Sequence, residues 1–293
     1  MTIIRTEEVL YHVADIDAPA RYCADFGLRP LEPDGHAARF ATGTGQVIAI
    51  DPAGEGEESG IARIVWGVDT AQALAAIRAE MARDRAVVDE PDGGFLTSDE
   101  TGFVIGFRLA SVETPTAERR PVNSFGQVER WNDRLGTYGR ARPLRIAHVA
   151  LDIPKQGKDE AVAFYTGRLG FKAVETIAPT GTFLQAEGET DHHQLFLCHR
   201  TDRKGTNHVA FEVRDFDEVV EGGNHLVSQG WKETRRLGRH TVGSNIFRFF
   251  ATPMGGRFEY VADMDQVRKE EPHRHWETSP PHHLWMLKTN GQD

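Results

Sequence analysis

The chain has 293 residues, enough for one large domain or two ordinary ones, and 39% of them are hydrophobic, enough for real cores. A net charge of −10 without a long Lys/Arg cluster argues against a nucleic-acid partner, and no apolar run approaches the ~18 residues of a membrane span. Two cysteines exclude a disulfide framework, and with no secretory signal in "MTIIRTEEVLYHVAD" they fit the cytoplasm, so any metal must be held by nitrogen and oxygen.

In chain order, "VLYHVADI" reads as a strand and "DAPARYCADFGL" as a helix ending at Gly27. Short strands follow in "AARFAT" and "QVIAID", and the pattern restarts with "ARIVWGV", helix "DTAQALAAIRAEMARD", and strands around "GGFLTSD" and "GFVIGFRLA". Residues 111–141 are polar and broken by Pro115, Pro121, Gly126, Gly136 and Gly139, which predicts a linker with one short helix near "VERWNDRL". A third unit runs from "LRIAHVALD" through helix "DEAVAFYTGRLGF" to "GTFLQAE" and "HHQLFLC". A fourth opens at "GTNHVAFEV", continues through helix "FDEVVEGGNHLVSQGW" and closes with "SNIFRFFATP" and "GRFEYVAD".

A period of roughly 50–60 residues repeated four times predicts an α+β fold of four βαβββ repeats, paired into two homologous open-barrel domains. The expected division is 1–135, 136–265, and a tail, 266–293, that packs Trp276 and Trp285 on a domain or a neighbouring subunit. Overlaying the halves places "YHVADID" on "AHVALDI" and "GIARIVWGV" on "GTNHVAFEV". Three strand positions of the second half then carry His148, His208 and Glu259, against His12, Arg63 and Gly106 in the first. Arg63 would repel a cation, so the first half reads as a degenerate, non-catalytic scaffold and the second as the metal-binding, catalytic one.

A lone strand histidine more often finds a hydrogen bond than a metal, and a strand glutamate more often faces solvent. Three such residues at repeat-equivalent positions reverse those odds. Two imidazoles and one carboxylate on separate strands suit a divalent metal with an open face, an arrangement that favours non-haem Fe(II) and leaves room for O2 and substrate.

The stretches "LRIAHVALDI", "AFYTGRLGF", "DHHQLFL", "GTNHVAFEV", "GRHTVGSNIF" and "TPMGGRFEYVAD" resemble the two-domain extradiol ring-cleaving dioxygenases of the vicinal oxygen chelate superfamily. The resemblance covers nearly the whole chain and is sharpest over 144–263. It implies that His148, His208 and Glu259 ligate Fe(II), with Mn(II) as the alternative. It implies that His193 stands beside the O2 position and acts as an acid, and that His240 hydrogen-bonds a substrate oxygen. It further implies a small aromatic diol and O2 as partners, a role in aromatic catabolism, and a homo-oligomer. Thr241 and Asn245, close after His240, are candidate substrate contacts. One departure stands out: nine residues after His240, where the family presents a tyrosine, this chain has Phe249. A substituted, bicyclic or trihydroxylated substrate is therefore a better expectation than simple catechol.

Rival readings are a hydroxyphenylpyruvate-type dioxygenase, a glyoxalase-type isomerase, and a metal-independent binding protein of the same fold. His192, His199 and His225 are expected on edges or helix surfaces, and His12 as a relic with a structural hydrogen bond. His273, His275, His282 and His283 are expected to serve an irregular packing tail rather than a metal tract.

Overall fold

The computed structural model describes residues 2–115 and 119–288; the first residue of the predicted 1–135 unit, positions 116–118 and the last five tail positions lie outside the described residues. The first half runs β1 (Ile3–Val13), α1 (Asp17–Asp25), β2 (Arg29–Leu31), β3 (Ala38–Ala41), β4 (Val47–Pro52), β5 (Gly60–Val68), α2 (Ala71–Met81), β6 (Val88–Asp89), β7 (Phe95–Ser98) and β8 (Val104–Leu109). The second runs β9 (Arg145–Pro154), α3 (Lys158–Arg168), β10 (Lys172–Ile177), β11 (Gly181–Gln185), β12 (Leu195–Arg200), β13 (Gly205–Glu212), α4 (Phe216–Ser228), β14 (Glu233–His240), β15 (Ile246–Ala251) and β16 (Arg257–Ala262). Two short tail strands follow, β17 (Arg274–Trp276) and β18 (His283–Met286).

Each half is two βαβββ units joined into one sheet. The first sheet has the order β2-β3-β4-β1-β5-β8-β7-β6, and the second β17-β10-β11-β12-β9-β13-β16-β15-β14-β18. The opening strands of paired units meet antiparallel (β1 on β5, β9 on β13), whereas each unit's last strand runs parallel to its first. This is the mixed α+β architecture of the vicinal oxygen chelate fold.

The helices cover the faces of the sheets away from the site and fuse the halves into one apolar core. Phe26, just after α1, stacks on Tyr260 of β16 with ring centroids 4.1 Å apart, and the Tyr260 hydroxyl donates to the Phe26 carbonyl at 2.7 Å. Tyr22 packs edge-on against Phe258 and Trp231, and Trp66 of β5 against Phe171. Caps set two of the helix starts: Thr70 Oγ1 accepts from the Ala73 amide ahead of α2, and Asp215 Oδ1 from the Glu218 amide ahead of α4.

Two expectations need correction. Among the described residues of 111–141 there is no helix: Asn132 sits at φ 54° and Gly126 and Gly139 at φ 81° and 75°, left-handed positions that interrupt helical hydrogen bonding. The tail is more regular than its prolines suggest. β17 pairs parallel with β10 and β18 antiparallel with β14, so the tail occupies both outer edges of the second sheet, and residues 277–282 cross from one edge to the other.

Candidate metal centre and its cavity

Register decides which side chains share the concave face of the second sheet. One cross-strand row passes from His148 on β9 to Ala210 on β13, Glu259 on β16, Phe249 on β15 and Arg235 on β14. The next row carries Ala150, His208 and Arg257. Directly paired residues point to one side of a sheet, as do residues two apart, so His208 stands beside the row of His148 and Glu259. Ala210 separates those two, and its small side chain leaves the space above it open.

The three predicted ligands converge. His148 Nε2 and His208 Nε2 are 3.0 Å apart, and each lies 3.4 Å from Glu259 Oε2. Around a divalent ion bonded at about 2.1 Å, neighbouring ligand atoms lie about 3.0 Å apart at right angles and about 3.4 Å at tetrahedral angles. The donor spacing fits that geometry. All three side chains are buried, and Glu259 Oε2 has no hydrogen-bond partner, which fits a group meant to meet a cation. Burial holds the His208 imidazole well below its ordinary pKa despite the nearby Glu259 charge, so it is neutral and able to ligate. For Glu259 burial pulls upward, but contacts with His148 and His240 and the charge of the imidazoles outweigh it and keep the carboxylate ionised.

A relay that sequence reasoning missed fixes His208. Its Nδ1 lies 2.8 Å from Asn207 Oδ1, an oxygen that can only accept, so the ring proton sits on Nδ1 and the Nε2 lone pair faces the site. Asn207 Nδ2 in turn donates to Asp152 Oδ1 at 2.7 Å. Neighbouring strand residues normally face opposite sides. Here the register shifts between Thr206 and His208, and this bulge lets Asn207 reach its neighbour's ring. The dipeptide "NH" was the available signal, and strand alternation argued against it.

The centre opens into a cavity of about 180 Å³ that His193, His240, Asn245 and Phe249 also line. His193 is buried, its ring centroid 4.2 Å from that of His148, and burial followed by the surrounding imidazoles holds its pKa well below the ordinary range. His240 Nε2 lies 3.6 Å from Glu259 Oε1, and its ring stacks on Phe247 at 4.0 Å. Asn245 Nδ2 approaches the same carboxylate oxygen at 3.5 Å. Phe249 meets the His208 ring edge-on at 5.2 Å. Thr241 does not line the cavity: it lines the adjacent groove with Glu175, His192 and Trp276, and its neighbour Val242 borders both.

Other expectations also change. His192 is buried rather than at an edge, with Nε2 3.2 Å from Glu175 Oε2 and Nδ1 3.1 Å from His193 Nδ1. His199 is buried on β12. Two of the four tail histidines stand near the centre: His282 lines the cavity with Ser279, Pro280 and Pro281, and His240, His282 and His283 each bring a nitrogen within 4.8 Å of the others. Burial and the nearby Arg235 and His240 lower His282 and His283 to about 4, so both are neutral near pH 7.

The first sheet explains its own lack of ligands and corrects the overlay. By register, the row equivalent to His148–Ala210–Glu259 is Glu8–Val65–Gly106, and Arg63 takes the place of His208. His12 lies one helical-turn's worth of sequence further along β1, half-exposed against Glu57 at 2.7 Å; a shared His-Val pair had shifted the alignment. The Arg63 guanidinium donates to buried Glu8 at 2.7 Å and Arg108 approaches it at 3.3 Å, so side-chain cations already occupy this half's charge centre.

Residues 145–260 match the Glyoxalase/Bleomycin resistance protein/Dioxygenase superfamily. The chain is 29% identical over 202 residues to Metapyrocatechase 2 of Cupriavidus necator, a match covering 67% of this chain and 60% of that protein, so it spans about three fifths of the curated relative. Its fold superposes on an Mn(II)-bound glyoxalase from Novosphingobium aromaticivorans with TM-score 0.77 at 24% identity, covering 95% of this chain and 89% of that one. It superposes on BphC, a halotolerant catechol dioxygenase, with TM-score 0.78 at 14% identity, covering 99% and 95%. The matched stretch, residues 145–260, holds all three donors, so the part of the chain that is similar to that superfamily is also the part that carries the candidate metal centre.

Proposed function

We propose that the protein is an extradiol dioxygenase that opens the ring of an aromatic diol with O2, with His148, His208 and Glu259 holding Fe(II). The observation that carries this reading is the buried trio of donor atoms 3.0–3.4 Å apart at the floor of a cavity. The 29% identity to a metapyrocatechase supports the same chemistry. When bound, Fe(II) would supply the Lewis acidity and redox capacity that bring a diol and O2 together.

The chain's own residues do the rest. Glu259 and the two neutral imidazoles leave the cavity side of the centre free for ligands. His193 is a neutral, desolvated base beside His148, able to take a proton from a substrate hydroxyl or return one to a developing oxyanion. His240 and Asn245 present nitrogens near Glu259 and would orient a substrate oxygen. Phe249 supplies an apolar wall against the His208 ring, with no hydroxyl to share in proton transfer.

A glyoxalase-type isomerase is the second reading, favoured by the 24% identity to an Mn(II)-bound glyoxalase. Against it, the inward donor group on these strands among the described residues has three members. Within the same proposal we place the enzyme in the cytoplasm as a homo-oligomer; Phe125 and Trp131 of the linker are 109% and 74% exposed, and an interface would cover them. Among the described residues, no helix is long and apolar enough to cross a membrane.

The test is to load the protein anaerobically with Fe(II), admit air in the presence of catechols, hydroquinones and trihydroxybenzenes, and follow the near-visible absorbance of ring-opened products. Product from wild type and none from His208→Ala is the expected result. Product that still forms without O2, or no product from any diol, would overturn ring cleavage.

A further inference from the structure

We propose that Arg235 and Arg257 form an anion-binding subsite inside the cavity, and that the ring opened there carries a carboxylate; this rests on the ring-cleavage reading above. Three arginines and a single carboxylate, Glu259, line the cavity. Arg200 is answered by Asp152 at 2.8 Å. Arg235 and Arg257 form no ion pair among the described residues. Arg257 donates to Asn207 Oδ1 at 2.5 Å, and Arg235 lies against aromatic rings.

The two guanidiniums flank one ring. Arg235 lies 5.0 Å and Arg257 4.9 Å from the centroid of Phe249, which itself meets the His208 imidazole edge-on at 5.2 Å. Register explains the convergence: Arg235 pairs directly with Phe249, and Phe249 pairs with Glu259, two residues along β16 from Arg257. The subsite therefore adjoins the metal centre on the Phe249 side.

Charge makes an anion the complementary ligand. Withdrawing a guanidinium from water without a paired counter-ion is unfavourable, and here two like charges are also brought together. A neutral catechol would leave both without an ion pair, because its hydroxyls are directed to the metal centre. A carboxylate on the same ring would meet both, and the planar, multiply donating guanidinium matches carboxylate geometry better than an ammonium does. Phe249 fits this arrangement: a phenyl face offers cation–π support to each arginine and has no hydroxyl to compete for their N–H groups. In the first sheet the corresponding row holds Leu96 and Val88 in place of Phe249 and Arg235, so the basic pair belongs to the second half alone.

The experiment compares 2,3- and 3,4-dihydroxybenzoate and 3,4-dihydroxyphenylacetate with 4-methylcatechol on the Fe(II)-loaded enzyme. Binding is measured anaerobically by calorimetry, alongside kcat/KM in air. At least one carboxylated diol should bind about tenfold or more tighter than 4-methylcatechol, with a preference that shrinks as salt rises. Arg235→Met should erase most of that preference in both readouts, and Arg235→Lys should retain part of it. Equal affinity for charged and neutral diols, or a preference that Arg235→Met and Arg257→Met leave intact, overturns the subsite. If no diol is opened, ring cleavage fails on its own, while Arg235-dependent binding of the carboxylates would still support the subsite.

Discussion

His208 takes its orientation from the residue beside it in sequence. The bulge at Asn207 turns that amide oxygen onto Nδ1, and Asp152 holds the amide from behind. Asn207→Ala should therefore lower metal affinity by about 10–100-fold with little change in fold, as measured by chelator competition. Unaltered affinity would show that the relay has no hold on the ligand. Ala210 makes a second case. It lies between His148 and Glu259 in the same row, and a larger side chain there would enter the space above the donors. Ala210→Leu should abolish stoichiometric metal binding, read by elemental analysis, and the overpacking should cost about 1–3 kcal/mol of stability. The triad was legible in the sequence because an imidazole or carboxylate among Ile, Val, Ala and Phe is a local anomaly. Asn207 and Arg235 were not, since a polar residue at a strand's end or edge is ordinary until register gives it a direction.

At the scale of elements, the tail is the least legible part. Its prolines rule out long regular structure, yet three or four residues suffice to add a strand to an edge. β17 and β18 hold opposite edges of the sheet, and residues 277–282 run between them over the cavity. One anchor is Glu175, whose carboxylate accepts from Trp276 Nε1 and faces His192. Burial alone would raise its pKa; the contacts with His192 and Trp276 outweigh burial and lower it. A carboxyl lowered in the folded state stabilises above its unfolded pKa, and that contribution disappears as pH falls through the folded value. Acidification below the usual carboxylate range should thus release β17 first, seen as a Trp276 fluorescence change that precedes global unfolding and vanishes in Trp276→Phe. Coincident transitions would place Glu175 within the global core instead. The linker helix failed as an expectation for a related reason: an apolar pattern with charges favours a turn of helix, but Asn132 adopts φ 54° and breaks it.

Across the molecule, the period of the sequence carries the topology well, because each βαβββ unit repeats its own hydrophobic pattern. What a repeat cannot convey is where the helices pack. Phe26 from the first half lies against Phe211, Phe258 and Tyr260 of the second, so both halves draw on one core. Phe26→Ala should destabilise by about 3–5 kcal/mol and shift a single unfolding transition of the whole chain, followed by calorimetry. Two separate transitions, with the second-half one unmoved, would contradict a shared core. The overlay of His12 on His148 shows the same limit: similarity of "HVA" outweighed a four-residue difference in register that only strand pairing reveals. With Glu8, Arg63 and Gly106 at the first sheet's equivalents of His148, His208 and Glu259, the candidate metal centre is confined to the second. The measurement that bears most directly on that chemistry is O2 consumption per diol consumed by the Fe(II)-loaded enzyme, with hydrogen peroxide assayed alongside. Ring cleavage at His148, His208 and Glu259 predicts one O2 per diol, no peroxide, and no uptake in Glu259→Ala. Uptake accompanied by stoichiometric peroxide, or persisting in Glu259→Ala, would contradict it.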